Sequence, residues 1–508
     1  MRSLLAASAA ALLPGCRTLP SLDGRTHSVT LENTADTRLG RAVLPLARAH
    51  PGTSGVVPLA GGRDAFAARA LLADAAERTL DVQYYIWHAD MSGTLLFEAL
   101  HRAADRGVRV RLLLDDNNTE GLDGVLAALD AHPNIEVRLF NPFPDRRWRF
   151  LGYLTDFARL NRRMHNKSFT ADNQATIIGG RNVGDEYFDA GDDVLFVDLD
   201  VLAIGPVVND VSRDFDRYWA SGSSYPAARL LPAVSPAAIA GVAAAASRVE
   251  RDPAALAYIR AIARLPFVRA LLAGGLRFEW AATRMVSDDP AKGLGRAARE
   301  SKLPERLGAI LGAPEREVEL VSPYFVPTAA GVESFTALAR RGVKITVLTN
   351  SLEATDVVAV HAGYAKRRKP LLEAGIALFE MKRTSSRPVA EDHRLTGSSA
   401  SSLHAKTFSV DRARIFIGSF NFDPRSARLN TEMGFVIDSP GMAQMLADAF
   451  AGGIPRRAYE VRLSDTGALR WVEREDGRRI VHEGEPGAGF WLRALVAVMS
   501  VLPIEWLL

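Results

Sequence analysis

The chain has 508 residues, of which 48% are apolar and 24% charged, with a formal net charge of +3. That balance excludes a disordered or low-complexity protein and leaves room for two or three domains, each with its own core. Its single cysteine, Cys16, excludes an intrachain disulfide, and the mild basic excess is carried almost wholly by arginine, with only eight lysines. A bias of this size suits anionic partners such as lipid phosphate or nucleic acid, yet an ordinary solvated surface explains it equally well.

At the N-terminus, Arg2 precedes an apolar run from Leu4 to Leu13, followed by Leu13-Pro14-Gly15-Cys16. The run is too short to span a bilayer and has the charged start of a secretory signal. It resembles a bacterial lipoprotein signal over residues 1–16, with Cys16 as the lipidated residue. Pro14 departs from the residue usual at its position. The remainder is expected in the cell envelope, membrane-anchored and facing the periplasm. Residues 17–60 form an N-terminal segment without assigned chemistry.

From Leu80 the chain reads strand (Leu80–Trp87), helix (Gly93–Asp105) and strand (Val108–Leu114), the second strand being entered through Arg106-Gly107. Glycine is favoured where a helix ends in the left-handed conformation. The same grammar returns at Val318–Phe325, a helix from about Gly331, and Arg341-Gly342 leading into Val343–Thr349. Strand–helix–strand units with β-branched runs predict parallel sheets covered by helices. Two lobes are therefore expected over 61–220 and 305–455, both α/β, each a mostly parallel sheet flanked by helices. An Ala/Leu/Arg-rich stretch over 221–304 reads as a helical linker, because alanine favours helix. Residues 456–508 form a C-terminal extension ending in an apolar helix, interrupted by Arg493, Pro503 and Glu505, that suits core docking or a membrane interface better than a span.

The chemistry lies in a repeated motif. His165, Lys167 and Asp172 are matched by His404, Lys406 and Asp411, both sets reading His-x-Lys-x4-Asp. Asn182 and Asn421 each lie seventeen residues after their histidine, and Asp193 and Glu432 each twenty-eight after. In an extended strand the His and Lys project to one face. Two imidazoles can supply a nucleophile and an acid/base, while two ammoniums and two amides stabilise phosphate oxygens. Metal-ligand spacings such as His-Glu-x-x-His are missing from the sequence, so no cofactor and no metal are expected.

These residues resemble the phospholipase D superfamily, and the resemblance runs from about residue 60 to the C-terminus. It implies two pseudo-twofold-related lobes with one active site at their interface. It implies further that His165 forms a phosphohistidine while His404 acts as acid/base, with Asp193 orienting His404 and Glu432 orienting His165. Asp172 and Asp411 would hold the motif strands internally. Within the superfamily, Gly180–Phe188, Ser287–Lys292, Asn350–Asp356, His361–Lys366 and Leu502–Glu505 resemble bacterial cardiolipin synthases of the lipoprotein-like, C-type branch. The implied activity is phosphatidyl transfer onto phosphatidylglycerol, from a donor that is phosphatidylglycerol or phosphatidylethanolamine. Membrane phospholipids and the membrane surface are the expected partners, and nucleic acid is not. Three rival readings are a phospholipase that transfers to water, a nuclease using the same motif, and a tethered binding protein with a decayed site. His361, Tyr364 and Lys366 are candidate second-phosphate contacts. His88 could line the pocket mouth, and Asp115-Asp116 reads as a turn and cap.

Overall fold

The computed structural model describes residues 18–190, 195–383, 401–475 and 477–508. Cys16 and Asp193 lie outside the described residues.

Two large sheets carry the repeat. In the first, the strands Thr79–Tyr84, Arg109–Asp115 and Ile135–Phe140 run parallel in adjacent positions. In the second, Glu317–Val321, Lys344–Asn350 and Ala377–Met381 do the same. Helices Met91–Asp105 and Thr328–Arg340 make the first crossovers. Each ends at the expected glycine, Gly107 at φ 91° and Gly342 at φ 89°, a conformation that costs glycine little and other residues much.

The expectation of mostly parallel sheets is corrected here, because every other pairing in both sheets is antiparallel. The motif strands Ser168–Ala171 and Thr407–Val410 add antiparallel to Thr79–Tyr84 and Glu317–Val321, and each then folds back on a hairpin partner. Crossover helices announce parallel pairs, whereas the tight turns of these hairpins can join only antiparallel strands.

The linker also differs from expectation. It is helical over Pro236–Arg251, Pro253–Ala263 and Pro266–Leu272, but its ends are strands. Glu279–Ala281 pairs with Ser54–Leu59 at the edge of the first sheet, and Thr283–Ser287 pairs with Met433–Ile437 at the edge of the second. Only Ala282 separates them, so one extended run passes from sheet to sheet. The first sheet also takes in Ser54–Leu59, ahead of the expected lobe boundary.

Each lobe has its own apolar core. A third core joins them, with Val56, Ile178, Val201 and Val211 from the first lobe packed with Ile415, Ile417, Phe435 and Met442 from the second. Interdigitated apolar packing of this kind makes a rigid joint rather than a hinge. A small parallel pair, Leu195–Val197 with Ser401–Leu403, also crosses the interface.

Candidate active site at the lobe interface

The last motif residue explains how each half-site is built. Asp172 and Asp411 occupy left-handed turns, at φ 51° and 55°, which Asp tolerates better than most residues. The Asp172 carboxylate accepts backbone N–H bonds from Glu77, Arg78 and Thr79, and that of Asp411 from Glu315, Arg316 and Glu317. Each aspartate thus pins the motif hairpin to the start of the parallel strand beside it. Their place is in the scaffold, and neither lines the cavity described below.

The histidines are positioned by the opposite lobe. His165 N donates to Thr431 O at 2.9 Å, and His404 N donates to Val197 O at 2.8 Å. The residue after each of those carbonyls is the carboxylate that meets the imidazole. His165 Nδ1 lies 2.8 Å from Glu432 Oε2, and His404 Nδ1 lies 2.6 Å from Asp198 Oδ2. Asp198 is therefore the pseudo-twofold counterpart of Glu432 and meets His404 in the place expected of Asp193, which itself lies outside the described residues. The segment between Asn182 and Asp198 is five residues longer than the one between Asn421 and Glu432, so equal spacing from the histidine does not lead to Asp198. Counting back from the next strand does. Asp198 lies two residues before Asp200–Ile204 and Glu432 one before Met433–Ile437, each the antiparallel partner of its motif hairpin.

Both histidines open onto one cavity of about 390 Å³. Asn182 and Asn421 line it with them, joined by Tyr85, Tyr187 and Tyr324. Tyr85 and Tyr187 stand edge-on to the two imidazoles, with centroids 5.0 and 5.2 Å from His165 and His404. Asn182 Oδ1 accepts from Ile86 N and its Nδ2 donates to Tyr187, whereas the buried Asn421 Oδ1 has no hydrogen-bond partner among the described residues. Lys167 and Lys406 sit behind the histidines, each donating to the carbonyl of its own motif histidine. Neither lysine lines the cavity, so its charge acts on the site from just outside the wall.

That charge is felt. Burial, then Lys167 and Lys406, hold His165 well below the ordinary imidazole value. Burial and Lys406 bring His404 down to about 4, with Asp198 opposing. Burial lowers Lys406 to about 8 and pushes the Glu432 carboxyl up to about 7. Burial would raise Asp198 as well, but His404 and Lys406 outweigh it and hold that carboxyl well below its usual range. The tautomer of His165 is set by geometry. Its Nδ1 also lies 3.1 Å from Ser419 O, which can only accept, so Nδ1 carries the proton and Nε2 presents a lone pair.

Several outer residues are fixed by the same network. Asp115 accepts from Arg163 Nε and Met164 N, immediately before His165, so it anchors the motif as well as capping a turn. Asp288 accepts from Glu432 N and is paired with Lys292, which places the Ser287–Lys292 segment behind the second carboxylate. Sequence reasoning gave these residues no such roles. His361, Tyr364 and Lys366 do not reach the cavity. They bind Glu485, Glu380 and Glu505, so the expectation of phosphate contacts there is corrected. His88 pairs with Glu186 outside the cavity.

Two paired imidazoles from two repeats, facing one cavity, define a phospholipase D-type site. Residues 70–219 and 307–452 match the family described as "Cardiolipin synthase, PLD-like domain", and the chain belongs to that family. Cardiolipin synthase C of Escherichia coli K12 is 54% identical over 472 residues, covering 93% of this chain and 100% of that protein. An uncharacterized protein of Helicobacter pylori J99 is 30% identical over 473 residues, 92% of each chain. The solved structure of phosphatidylserine synthase from Haemophilus influenzae Rd KW20 aligns over 93% of this chain and 100% of its own at TM-score 0.59. Its identity is 11%, so it attests the shared fold.

Proposed function

We propose that this protein is a phosphatidyltransferase that makes cardiolipin, working through a phosphohistidine. The observation that carries the reading is that one imidazole from each repeat faces a single cavity, each backed by a carboxylate from the other lobe. The relative that is 54% identical over its whole length supplies the product.

In the first step His165 Nε2 attacks the phosphorus of a phosphatidyl donor, phosphatidylglycerol or phosphatidylethanolamine. The bond to the headgroup oxygen breaks, and His404 gives that oxygen a proton. In the second, His404 takes the proton from a headgroup hydroxyl of phosphatidylglycerol, whose oxygen attacks phosphorus and breaks the N–P bond. The fixed Nδ1–H of His165 favours it as nucleophile, because its Nε2 lone pair is available. The ionised Asp198 favours His404 as the proton carrier, since a carboxylate stabilises the imidazolium that must form. A bound phosphate anion raises both histidines from their values in the empty site. Lys167, Lys406, Asn182 and Asn421 stabilise the charge on the phosphoryl oxygens.

The protein is also proposed to be membrane-anchored, through lipid on Cys16, with its catalytic lobes in the periplasm. Among the described residues no helix is long and apolar enough to cross a membrane. The deciding experiment incubates purified protein with liposomes of phosphatidylglycerol, with and without phosphatidylethanolamine, and identifies the products. Cardiolipin is expected in at least one mixture. Phosphatidic acid alone would make the protein a hydrolase, and unchanged lipid would remove the reading.

A further inference from the structure

Two segments beside the cavity turn apolar side chains toward solvent. The first is the C-terminal helix, Phe490–Val501. Its inner side, through Val496, Leu492 and Met499, packs on Leu352, Val358 and Ala362. On its outer side Trp491 is 81% exposed, Val501 80% and Phe490 74%, with Leu495 and Val498 exposed beside them. A helix resting on a protein surface normally shows polar residues outward. This one shows a single charge, Arg493, and no acidic residue. The second segment lies on the other lobe around helix Arg149–Thr155, where Leu154 is 78% exposed and Trp148, Phe150 and Phe157 are exposed with it.

Both segments are tied to the cavity. Leu507 and Leu508, at the end of the chain, and Val357, ahead of the helix that supports Phe490–Val501, line its wall. On the other side Tyr153 donates to Asn117, next to the wall residue Asn118. Arg425, also in the wall, joins the two by donating to Asn161 Oδ1 and to Leu507 O.

We infer that these two segments form a membrane-docking surface which seats the cavity mouth on the bilayer, with the aromatic and aliphatic side chains entering the headgroup and acyl boundary. Apolar patches of this extent on a globular protein mark contact surfaces. The occupant is a lipid surface rather than a protein because of where the patch lies and what edges it. It is continuous with a cavity that takes a phosphate group but is too small for two acyl chains, which must stay in the bilayer during turnover. This step rests on the phosphatidyltransferase reading. Exposed Arg147 and Arg493 complement anionic headgroups, while Glu505 is neutralised by Arg367 and Lys366. Tryptophans at the edge of an apolar face suit the membrane interface, and a twelve-residue helix lies along a bilayer rather than through it.

The test uses the full chain with vesicles of phosphatidylglycerol and phosphatidylcholine carrying bromine on the acyl chains, which quenches only tryptophans that enter the bilayer. The wild type is expected to be quenched. Trp506, exposed beside the wall residue Leu507, belongs to the same surface, and the Trp148→Phe/Trp491→Phe/Trp506→Phe variant is expected to lose most of that quenching. Leu154→Asp with Val498→Asp is expected to lower turnover of vesicle lipid at least tenfold, while turnover of a short-chain, monomeric phosphatidyl substrate stays unchanged. The milder Leu154→Ser and Val498→Ser variants, measured separately, keep the test decisive if the charged pair folds poorly. Equal quenching in wild type and the tryptophan variant, or equal vesicle turnover in the serine variants, overturns the inference. A dimer of the wild type that these variants dissociate also overturns it, by assigning the patch to a second copy. Quenching is read without catalysis, so a protein that docks but turns over neither substrate sinks the proposed function and leaves docking standing.

Discussion

The two halves of the active site share one plan and differ in one side chain. Each histidine hangs from a backbone bond to the other lobe and meets the carboxylate that follows, yet one half uses Asp198 and the other Glu432. The Asp198 carboxyl is held well below its usual range, whereas burial lifts Glu432 to about 7. Pseudosymmetric frames can therefore hold chemically unequal partners, and the proposed division of roles between the two histidines rests on that inequality.

The sharpest way to break the comparison is to remove each imidazole. His165→Ala and His404→Ala are each expected to lower kcat by roughly three orders of magnitude or more, with the double variant little worse, because residues acting as a unit do not add. With a donor bearing a good leaving group, label should be trapped on His165 in the His404→Ala protein. Label on His404 in the His165→Ala protein would exchange the roles, and half activity in each single variant would mean two independent sites.

Changing the carboxylates comes next. Asp198→Asn is expected to lower kcat/KM by about a hundredfold, within the usual span for acid–base catalysis. Asp193→Asn is expected to stay within about twofold, since Asp198 already meets His404 Nδ1. Equal losses from Asp193→Asn and Asp198→Asn in steady-state assays would restore the carboxylate expected from spacing.

The pH profile tests the inequality more gently. Ionised Glu432 is the stronger acceptor for His165 Nδ1–H and stabilises positive charge on that imidazole, so kcat/KM should rise with pH through about 7. Lys406 must be protonated to stabilise phosphate, so it should fall again above about 8. Glu432→Gln should flatten the acidic limb and leave the basic one. A basic limb unmoved by Lys406→Met would assign that limb elsewhere.

The smallest effects concern stability. Both motif aspartates accept three backbone N–H bonds, but Asp172 is fully buried and Asp411 is not. Asp172→Ala should cost about 2–3 kcal/mol in denaturant unfolding, as buried donors lose their acceptor, and Asp411→Ala less. The Asp411 carboxyl is held below its ordinary value by those backbone donors, which outweigh burial. Its contribution is present above the unfolded value and lost as pH falls through the folded one. The melting temperature of Asp411→Ala should therefore approach that of the wild type in acid.

What could be read from the sequence was whatever short spacing dictates. The motif residues, the two lobes and the Arg-Gly strand entries depend on strand period and helix-end geometry, and all are visible within a dozen residues. Asp198 was hidden because a five-residue extension breaks the register between repeats. The antiparallel pairings were hidden because apolar runs show where strands lie and not which neighbours they take. The sequence does not choose between core docking and a membrane interface for the C-terminal helix, since the 490–501 run is apolar on both sides and only its packing shows which side faces out.

The strand Glu279–Ala281 has a consequence for how the protein is made. Its partner, Ser54–Leu59, is synthesised more than two hundred residues earlier. Until Glu279–Ala281 has emerged and paired, Ser54–Leu59 is the outer strand on that side of the first sheet, with backbone donors and acceptors that any other extended chain could pair with. The residue that closes that edge comes just before Ala282, after which the chain enters the second sheet. Covering the first sheet and starting the second are thus adjacent steps in chain order, and the emerging chain is most open to mispairing just before them.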